Sequence, residues 1–369
     1  KTCEVAPCAA ASRRYMATAL LIALSSALLW GIGVWDASFF AEDAAQIHAG
    51  RTMLQHDFVG AVSGRNYGGA REYYRPAAYF SLGLDYALWG SRPAGFRLTN
   101  MLLHVACCLL VWRAATLLLP DCTPLFALIA TALFAFHPVH EFTILWIAGR
   151  FDLLCVFFYL AAVACFLHRL RFGGRLYLGL ATLCSALAIA SKEMAYSIPP
   201  VFFILALWAR SEKATKERLS AAALECAPFA GIAAAFVLIR VLVLPQGATV
   251  YAVRTSVSDL LVVLRLTVRH LFLPYGVSFR ELAARHPAWF AGALGGAGLL
   301  GGVQLRRGPW SFIALCALIV AVSTLPLIRV MSPWCLYISS VGWCMAAALY
   351  LAPRRGWRGV CAWALTALL

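Results

Sequence analysis

Long apolar runs dominate this sequence and restrict what it can fold into. About ten runs approach the roughly 20 residues that an α-helix needs to cross the hydrocarbon core of a bilayer. They cover residues 15–35, 98–119, 124–136, 142 or 151 to 167, 176–190, 196–209, 222–244, 289–305, 310–327 and 335–351. We therefore predict one all-α domain over residues 1–369, a polytopic membrane bundle of about ten to eleven transmembrane helices. A last apolar piece, 360–369, predicts that the chain ends inside a further helix.

Composition excludes several classes of protein. Hydrophobic residues make up 62% of the chain and charged residues 13%, with a mean hydropathy of +0.79. Soluble globular domains are about 45–50% apolar and about 25% charged. Because this apolar excess cannot be hidden in a water-surrounded core, the chain is not expected to be a cytosolic enzyme, a disordered protein or a collagen-like fibre.

The basic residues indicate membrane topology. The formal net charge is +15, and the basic residues occur in bursts between apolar runs, at 13–14, 168–175, 210–218, 306–307 and 354–358. Short Lys/Arg-rich loops are typical of the cytoplasmic side. This pattern predicts a cytoplasmic N-terminus, a first external loop at 36–97 and a second at 245–287. Anionic membrane lipids are the expected counter-charge, and no nucleic-acid partner is expected.

Two adjacent acids stand out in the first external loop. That loop is much longer than usual connections and is expected to be structured and functional. Residues 39–48 predict a short amphipathic helix with Glu42 and Asp43 in its first turn. The carboxylates either complement the helix dipole or act as a general base or metal ligand at the membrane surface.

Cationic candidates occur in two external segments. Arg75 precedes a second predicted amphipathic helix at 77–89. Its guanidinium either clamps phosphate oxygens through paired hydrogen bonds or snorkels to the headgroup level. Lys192 and Glu193 lie at the outer end between two apolar runs, as a structural anchor or as part of the same site.

A third polar group lies between two apolar runs. On a helix beginning near Pro138, the side chains of His137, His140 and Glu141 would share one face. Two histidines and a carboxylate can ligate a metal, but hydrogen bonding or substrate contact is favoured, because polar groups in membranes usually find protein partners. Arg150 and Asp152 are predicted to form a structural ion pair that holds the following loop.

Six ordered segments carry a family resemblance. They are 74–76 (YRP), 99–104 (TNMLLH), 136–140 (FHPVH), 149–154 (GRFDLL), 191–193 (SKE) and 336–342 (LYISSVG). In this order they resemble the transmembrane and tetratricopeptide-repeat O-mannosyltransferases and their bacterial relatives.

The resemblance implies a GT-C class membrane glycosyltransferase that uses a polyprenyl-phosphate sugar as donor. Such enzymes carry an acidic motif in the first external loop, where this chain has Glu42 and Asp43. It implies hexosyl transfer, with mannosyl as one option, to a protein or glycolipid acceptor. It also implies a bacterial inner-membrane location with the active face periplasmic.

Roles for the candidate residues follow from the resemblance together with transfer chemistry, which needs a base for the acceptor hydroxyl and cations for the departing phosphate. Asp43 is expected to be the base, with Glu42 as its neighbour. Substrate or phosphate contacts are expected from Arg75, His137, His140, Glu141, Arg150 and Lys192, and structural roles from Asp152, Glu193 and Tyr337. A divalent cation, Mg²⁺ or Mn²⁺, is optional, with Asp43 as the candidate ligand.

Two other classes of function are alternatives for a chain of this kind. A membrane scaffold or accessory subunit that assembles with other membrane proteins would keep this fold without its chemistry. A transporter would place polar residues near mid-membrane in broken helices. The acids and histidines fall instead at the ends of the apolar runs, which argues against transport.

Overall fold

The described part of the chain is all-α. The computed structural model describes residues 9–32, 37–40, 42–55, 74–119, 124–210, 214–243, 265–267, 269, 271, 310–324 and 333–352. These residues form α-helices, short 3₁₀ segments and turns, without a β-strand among them. The predicted all-α fold class is thereby confirmed.

Several of the described helices are joined by connections of only a few residues. The first six are α1 Ala9–Gly31, α2 Asp43–Gln55, α3 Pro76–Trp89, α4 Pro93–Leu118, α5 Pro124–Ala135 and α6 Glu141–Leu145. The remaining described helices are α7 Arg150–Phe172, α8 Arg175–Ser191, α9 Ile198–Ala209, α10 Thr215–Val243, α11 Trp310–Thr324 and α12 Ser339–Leu351. Short 3₁₀ segments cover Pro138–His140, Ile147–Gly149, Glu193–Ser197 and Pro333–Tyr337.

Four helical stretches of the described chain are long and apolar enough to cross a membrane: Arg13–Gly31, Pro93–Leu118, Ile147–Phe172 and Thr215–Leu242. A pair bent by 46°, Pro124–Ala135 with Pro138–Leu145, would make a fifth span if it is counted as one. Shorter apolar helices cover 175–191, 193–209, 312–324 and 335–349. The count of about ten to eleven spans stays a prediction, because the run at 289–305, the end of the chain and most of the loop 245–287 lie outside the described residues.

Helices α2 and α3 pair with each other in a layer that packs through α3 against α4, α7 and α8. Helices α2 and α3 pack closely at Gly50, because this residue has no side chain. A Cβ added there would lie 2.6 Å from the Tyr79 carbonyl oxygen, which is too near for any side chain. Ile47 and Met53 of α2, with Leu82 of α3, belong to a small apolar cluster under this layer. The predicted helix at 39–48 begins later, at Asp43, and the one at 77–89 begins at Pro76.

Helix α7 is the central element for the site. Its 23 residues pack against α4, α8 and α9 in the main apolar core, where the ring of Phe166 stacks on Phe202 at 4.3 Å. Asp152 lies in its first turn, and Arg169 and Arg171 lie in its last. These charges complement the helix dipole at both ends.

Candidate functional site

Asp43 is a buried carboxylate held between two chain segments. Its Oδ2 accepts a hydrogen bond from the backbone N–H of Phe40 at 3.0 Å, which fixes the start of α2. Its Oδ1 accepts from the backbone N–H of Ala148, also at 3.0 Å, in the turn before α7. Burial raises the pKa of Asp43, although the two N–H donors and the nearby positive charge of Arg97 oppose that shift. Asp43 therefore has an increased proton affinity and lies against the turn that precedes α7.

Glu42 has a different environment from its neighbour. Its side chain is exposed, and its Oε2 accepts a hydrogen bond at 3.3 Å from the side-chain amide of Gln46, one turn along α2. Adjacent residues on a helix point about 100° apart, so only one of the two acids can face the bundle. The structure directs Asp43 inward.

Arg97 binds the segment that carries Asp43, and sequence reasoning missed it. The guanidinium donates hydrogen bonds to the carbonyl oxygens of Ala37 and Ser38, the latter at 2.7 Å. Its Nε also donates to the carbonyl oxygen of Leu145 at 3.3 Å. The signal that could have revealed Arg97 is a single charge at the outer end of an apolar run, where an ionisable group needs a partner.

Arg150 is fully buried at the start of α7. Its Nη2 lies 2.6 Å from Asp85 Oδ2 on α3, and its Nε donates to the side-chain oxygen of Asn100 on α4 at 2.6 Å. The predicted ion pair between Arg150 and Asp152 is therefore wrong. Residues two apart on a helix point in divergent directions, so Arg150 faces α3 while Asp152 faces another neighbour.

That neighbour is Lys192. Its Nζ lies 2.7 Å from both carboxylate oxygens of Asp152. The following residue, Glu193, instead accepts a two-pronged hydrogen bond from Arg75, with Nη2 at 2.7 Å and Nε at 3.0 Å. The guanidinium of Arg75 also lies 5.3 Å from the ring centroid of Phe151, so it stacks on the first turn of α7.

The two candidate histidines are buried, whereas Glu141 is exposed. His137 and His140 do lie together, with 5.4 Å between their ring centroids, because residues three apart align in the 3₁₀ turn Pro138–His140. Glu141 points to the exterior instead, so the predicted shared face of all three residues is wrong. His137 Nδ1 accepts from the N–H of Val139, which leaves Nε2 to donate to the Leu271 carbonyl oxygen at 3.1 Å. His140 Nε2 lies 2.9 Å from Ser340 Oγ.

Tyr337 belongs to this buried histidine cluster. Its hydroxyl lies 2.6 Å from Nδ1 of His104, a residue of α4 that the sequence analysis did not single out. The rings of Tyr337 and His140 are 4.3 Å apart between centroids. The signal for His104 was an ionisable side chain inside an apolar run.

The candidate residues thus separate into three groups. Around the N-terminal end of α7 lie Asp43, Arg75, Arg150, Asp152, Lys192 and Glu193. A second, buried cluster contains His137, His140 and Tyr337. Glu42 and Glu141 are exposed.

No metal centre is evident among the described residues. Within these ranges, no group of three or more His, Cys, Asp or Glu side chains is placed to hold a metal ion. Each oxygen of Asp43 accepts one backbone N–H, and among the described residues Asp43 belongs to no group of three side chains that could ligate a metal ion. A requirement for Mg²⁺ or Mn²⁺ stays a prediction.

Comparison with known proteins supports the predicted resemblance. The chain is similar to animal protein O-mannosyl-transferases. Protein O-mannosyl-transferase TMTC4 of Mus musculus is 32% identical over 120 residues, which is 29% of this chain and 16% of the relative. Tmtc1 of Drosophila melanogaster is 35% identical over 120 residues, 32% of this chain and 14% of the relative. TMTC2 of Mus musculus is 28% identical over 156 residues, 40% of this chain and 18% of the relative.

The aligned parts are short compared with these relatives. The matches span 14–18% of the length of the three relatives just named. No family model matches the chain, and no solved structure matches it. The relatives therefore support a glycosyltransferase-like membrane segment.

Proposed function

We propose that the chain is a GT-C class membrane glycosyltransferase that moves a hexose from a polyprenyl-phosphate donor to a hydroxyl group of a protein or glycolipid acceptor. The observation that carries this proposal is the convergence at the N-terminal end of α7. There the turn before the helix meets the buried base Asp43, while the first helical turn meets the cations Arg75 and Lys192. A transfer site needs a base and a cationic phosphate site close together.

The chemistry assigns each group one task. Asp43 takes the proton of the acceptor hydroxyl as that oxygen attacks C1 of the sugar. The bond between C1 and the phosphate oxygen breaks, and polyprenyl phosphate leaves with that oxygen. Arg75 and Lys192 stabilise the negative charge that develops on the phosphate. A carboxylate oxygen that accepts one N–H retains another lone pair, so Asp43 keeps acceptor capacity for this proton.

The membrane setting suits this donor. The polyprenyl tail stays in lipid, while α2 and α3 form a layer beside the spanning helices in the segment predicted to be external. The relatives are named O-mannosyl-transferases, which favours mannose as the sugar. We place the active face on the extracytoplasmic side, the periplasm if the membrane is a bacterial inner membrane, with the N-terminus cytoplasmic.

A second candidate is a non-catalytic scaffold or accessory subunit. The observation that favours it is that Arg75 and Lys192 already pair with Glu193 and Asp152, respectively. In a scaffold these ion pairs would serve only to join helices.

Turnover by the purified full chain tests the proposal. The chain, in detergent or nanodiscs, is incubated with a panel of radiolabelled polyprenyl-phosphate hexoses and a hydroxyl acceptor. Asp43→Asn should lower the transfer rate by about 10² to 10⁴-fold while the protein stays folded, because it removes the general base. Glu217→Gln, an exposed acid at the start of α10, is the matched control. Near-normal transfer by Asp43→Asn overturns the assignment, and absence of turnover with every donor supports the scaffold.

A further inference from the structure

The ion-pair cluster at the N-terminal end of α7 is built from arginine, lysine and carboxylate side chains. Among the described residues it contains the cations Arg75, Lys192 and Arg240 and the carboxylates Asp152 and Glu193. The exposed fractions of these side chains are 13%, 12%, 19%, 3% and 13%, respectively. Breaking a largely buried ion pair is costly unless the released charge finds another partner, so a carboxylate displaced within this cluster needs a second cation.

The two carboxylates are held in different ways. Asp152 lies in the first turn of α7 and places both of its oxygens on Lys192. Glu193 lies between two arginines: Arg75 grips it at 2.7 Å, and Nη1 of Arg240 approaches its Oε1 at 3.8 Å. Glu193 therefore has a second cation within reach, on a different helix, if it leaves the first.

The grip of Arg75 on Glu193 has the geometry of phosphate recognition. Nε donates to Oε1 at 3.2 Å and Nη2 donates to Oε2 at 2.7 Å, and the same planar fork fits two oxygens of a phosphate group. The carboxylate of Glu193 thus occupies the place that a phosphate would take.

We propose that Glu193 is an internal competitor for a lipid-linked phosphate: it occupies Arg75 in the ligand-free chain and shifts to Arg240 when the phosphate binds Arg75 and Lys192. Arg240 is then a positioning residue, which receives the displaced carboxylate without touching the ligand. This inference rests on the proposed function for the identity of its ligand.

Binding of farnesyl phosphate to the full chain in a phosphate-free detergent tests the exchange without any need for sugar transfer. Glu193→Gln should tighten binding about tenfold, since the charged competitor is gone. Arg240→Gln should weaken binding severalfold, because the displaced Glu193 then lacks a partner. In the Glu193→Gln background, Arg240→Gln should have little further effect, and this loss of additivity identifies a positioning role.

Controls separate this exchange from general effects of charge. Glu225 lies 3.3 Å from both Arg169 and Arg210, so Glu225→Gln removes a comparable carboxylate and should leave farnesyl phosphate binding unchanged. Inorganic phosphate should bind far more weakly than farnesyl phosphate, and equal affinity would overturn the lipid-linked assignment. If Glu193→Gln fails to fold, Glu193→Asp, whose shorter side chain reaches Arg75 less well, should also tighten binding.

Two results overturn the exchange itself. One is binding by a folded Glu193→Gln variant that is no tighter than that of the unmodified chain. The other is an effect of Arg240→Gln that persists undiminished in the Glu193→Gln background, which would mean direct contact between Arg240 and the ligand. Because binding is measured without transfer, the exchange can hold even if no donor is turned over, and turnover can occur even if the exchange fails.

Discussion

Near each end of helix α7 a glutamate lies between two arginines, but the two ion-pair clusters differ in distance and in exposure. At the N-terminal end, Arg75 grips Glu193 at 2.7 Å, and Arg75 and Glu193 are each 13% exposed. At the C-terminal end, Arg169 and Arg210 both lie 3.3 Å from Glu225, with exposed fractions of 18–24%. Asp152 and Arg169 are 17 positions apart, so the two clusters are about 25 Å from each other along the helix.

The difference lies in what surrounds each glutamate. The C-terminal cluster joins α7, α10 and the end of α9 near predicted cytoplasmic loops, as expected for charges that remain partly solvated. The N-terminal end adds three further polar contacts, which centre on Asp43, Arg150 and Lys192. A carboxylate between two arginines therefore does not distinguish the two ends, whereas the buried carboxylate Asp43 and the additional cation Lys192 occur only at the N-terminal end among the described residues.

The largest expected difference between the two ends is their side of the membrane. Ser91→Cys, an exposed position just before α4, should react with an impermeant maleimide added outside intact cells, relative to the unmodified chain as background. Thr215→Cys, exposed at the start of α10, should react only after the membrane is opened. We expect this result because the Lys- and Arg-rich loops at 168–175 and 210–218 are typical of the cytoplasmic side. Labelling of both positions from one side would show that the two ends of α7 do not lie on opposite sides of the membrane.

The next largest difference is in stability. Arg150→Met should cost about 3–5 kcal/mol of unfolding free energy, because it leaves the buried Asp85 carboxylate without its ion-pair partner. Arg169→Met, at the partly exposed end, should cost at most about 1 kcal/mol. Reversible unfolding in mixed detergents measures both. Equal losses at the two ends would show that burial does not distinguish them.

The pH dependence of kcat/KM should also distinguish the two ends of α7, because Asp43 lies at the N-terminal end. Burial raises the pKa of Asp43 above the ordinary aspartate value of 3.8, so its base form is lost at a higher pH than usual. The acid limb of kcat/KM should therefore have its midpoint above 3.8, with activity falling as pH falls through it. Glu225→Gln should leave that midpoint in place. A limb at or below the ordinary value would contradict the role of Asp43 as the buried base.

The smallest effect is expected at the C-terminal cluster itself. Glu225→Gln should change unfolding free energy by no more than about 1 kcal/mol, because this carboxylate is partly solvated. Transfer activity should stay within about twofold of the unmodified chain, as is usual for a substitution far from reacting groups. The transfer assay and detergent unfolding together check this. A large loss of turnover would place functional chemistry at both ends of α7.

Much of the fold could be predicted from the sequence because its causes are local. The length of each apolar run predicts a helix for a bilayer, and Pro76 and Pro93 stand at the first positions of α3 and α4, where proline is favoured. The ordered motifs led to the resemblance that the relatives support. The structure buries Asp43 and exposes Glu42, and the catalytic role of Asp43 stays a prediction.

The ion-pair partners of the charged side chains could be identified only from the tertiary structure. Arg150 pairs with Asp85 across 65 positions, Lys192 with Asp152 across 40, and Arg75 with Glu193 across 118. Sequence proximity instead favoured Arg150 with Asp152, a pairing that helix geometry prevents. The sequence was sufficient to predict an α-helical membrane protein and the segments that carry its polar groups. Which charges meet depends on how the helices pack, because an ion pair needs contact in space and helix packing sets those contacts across long stretches of chain.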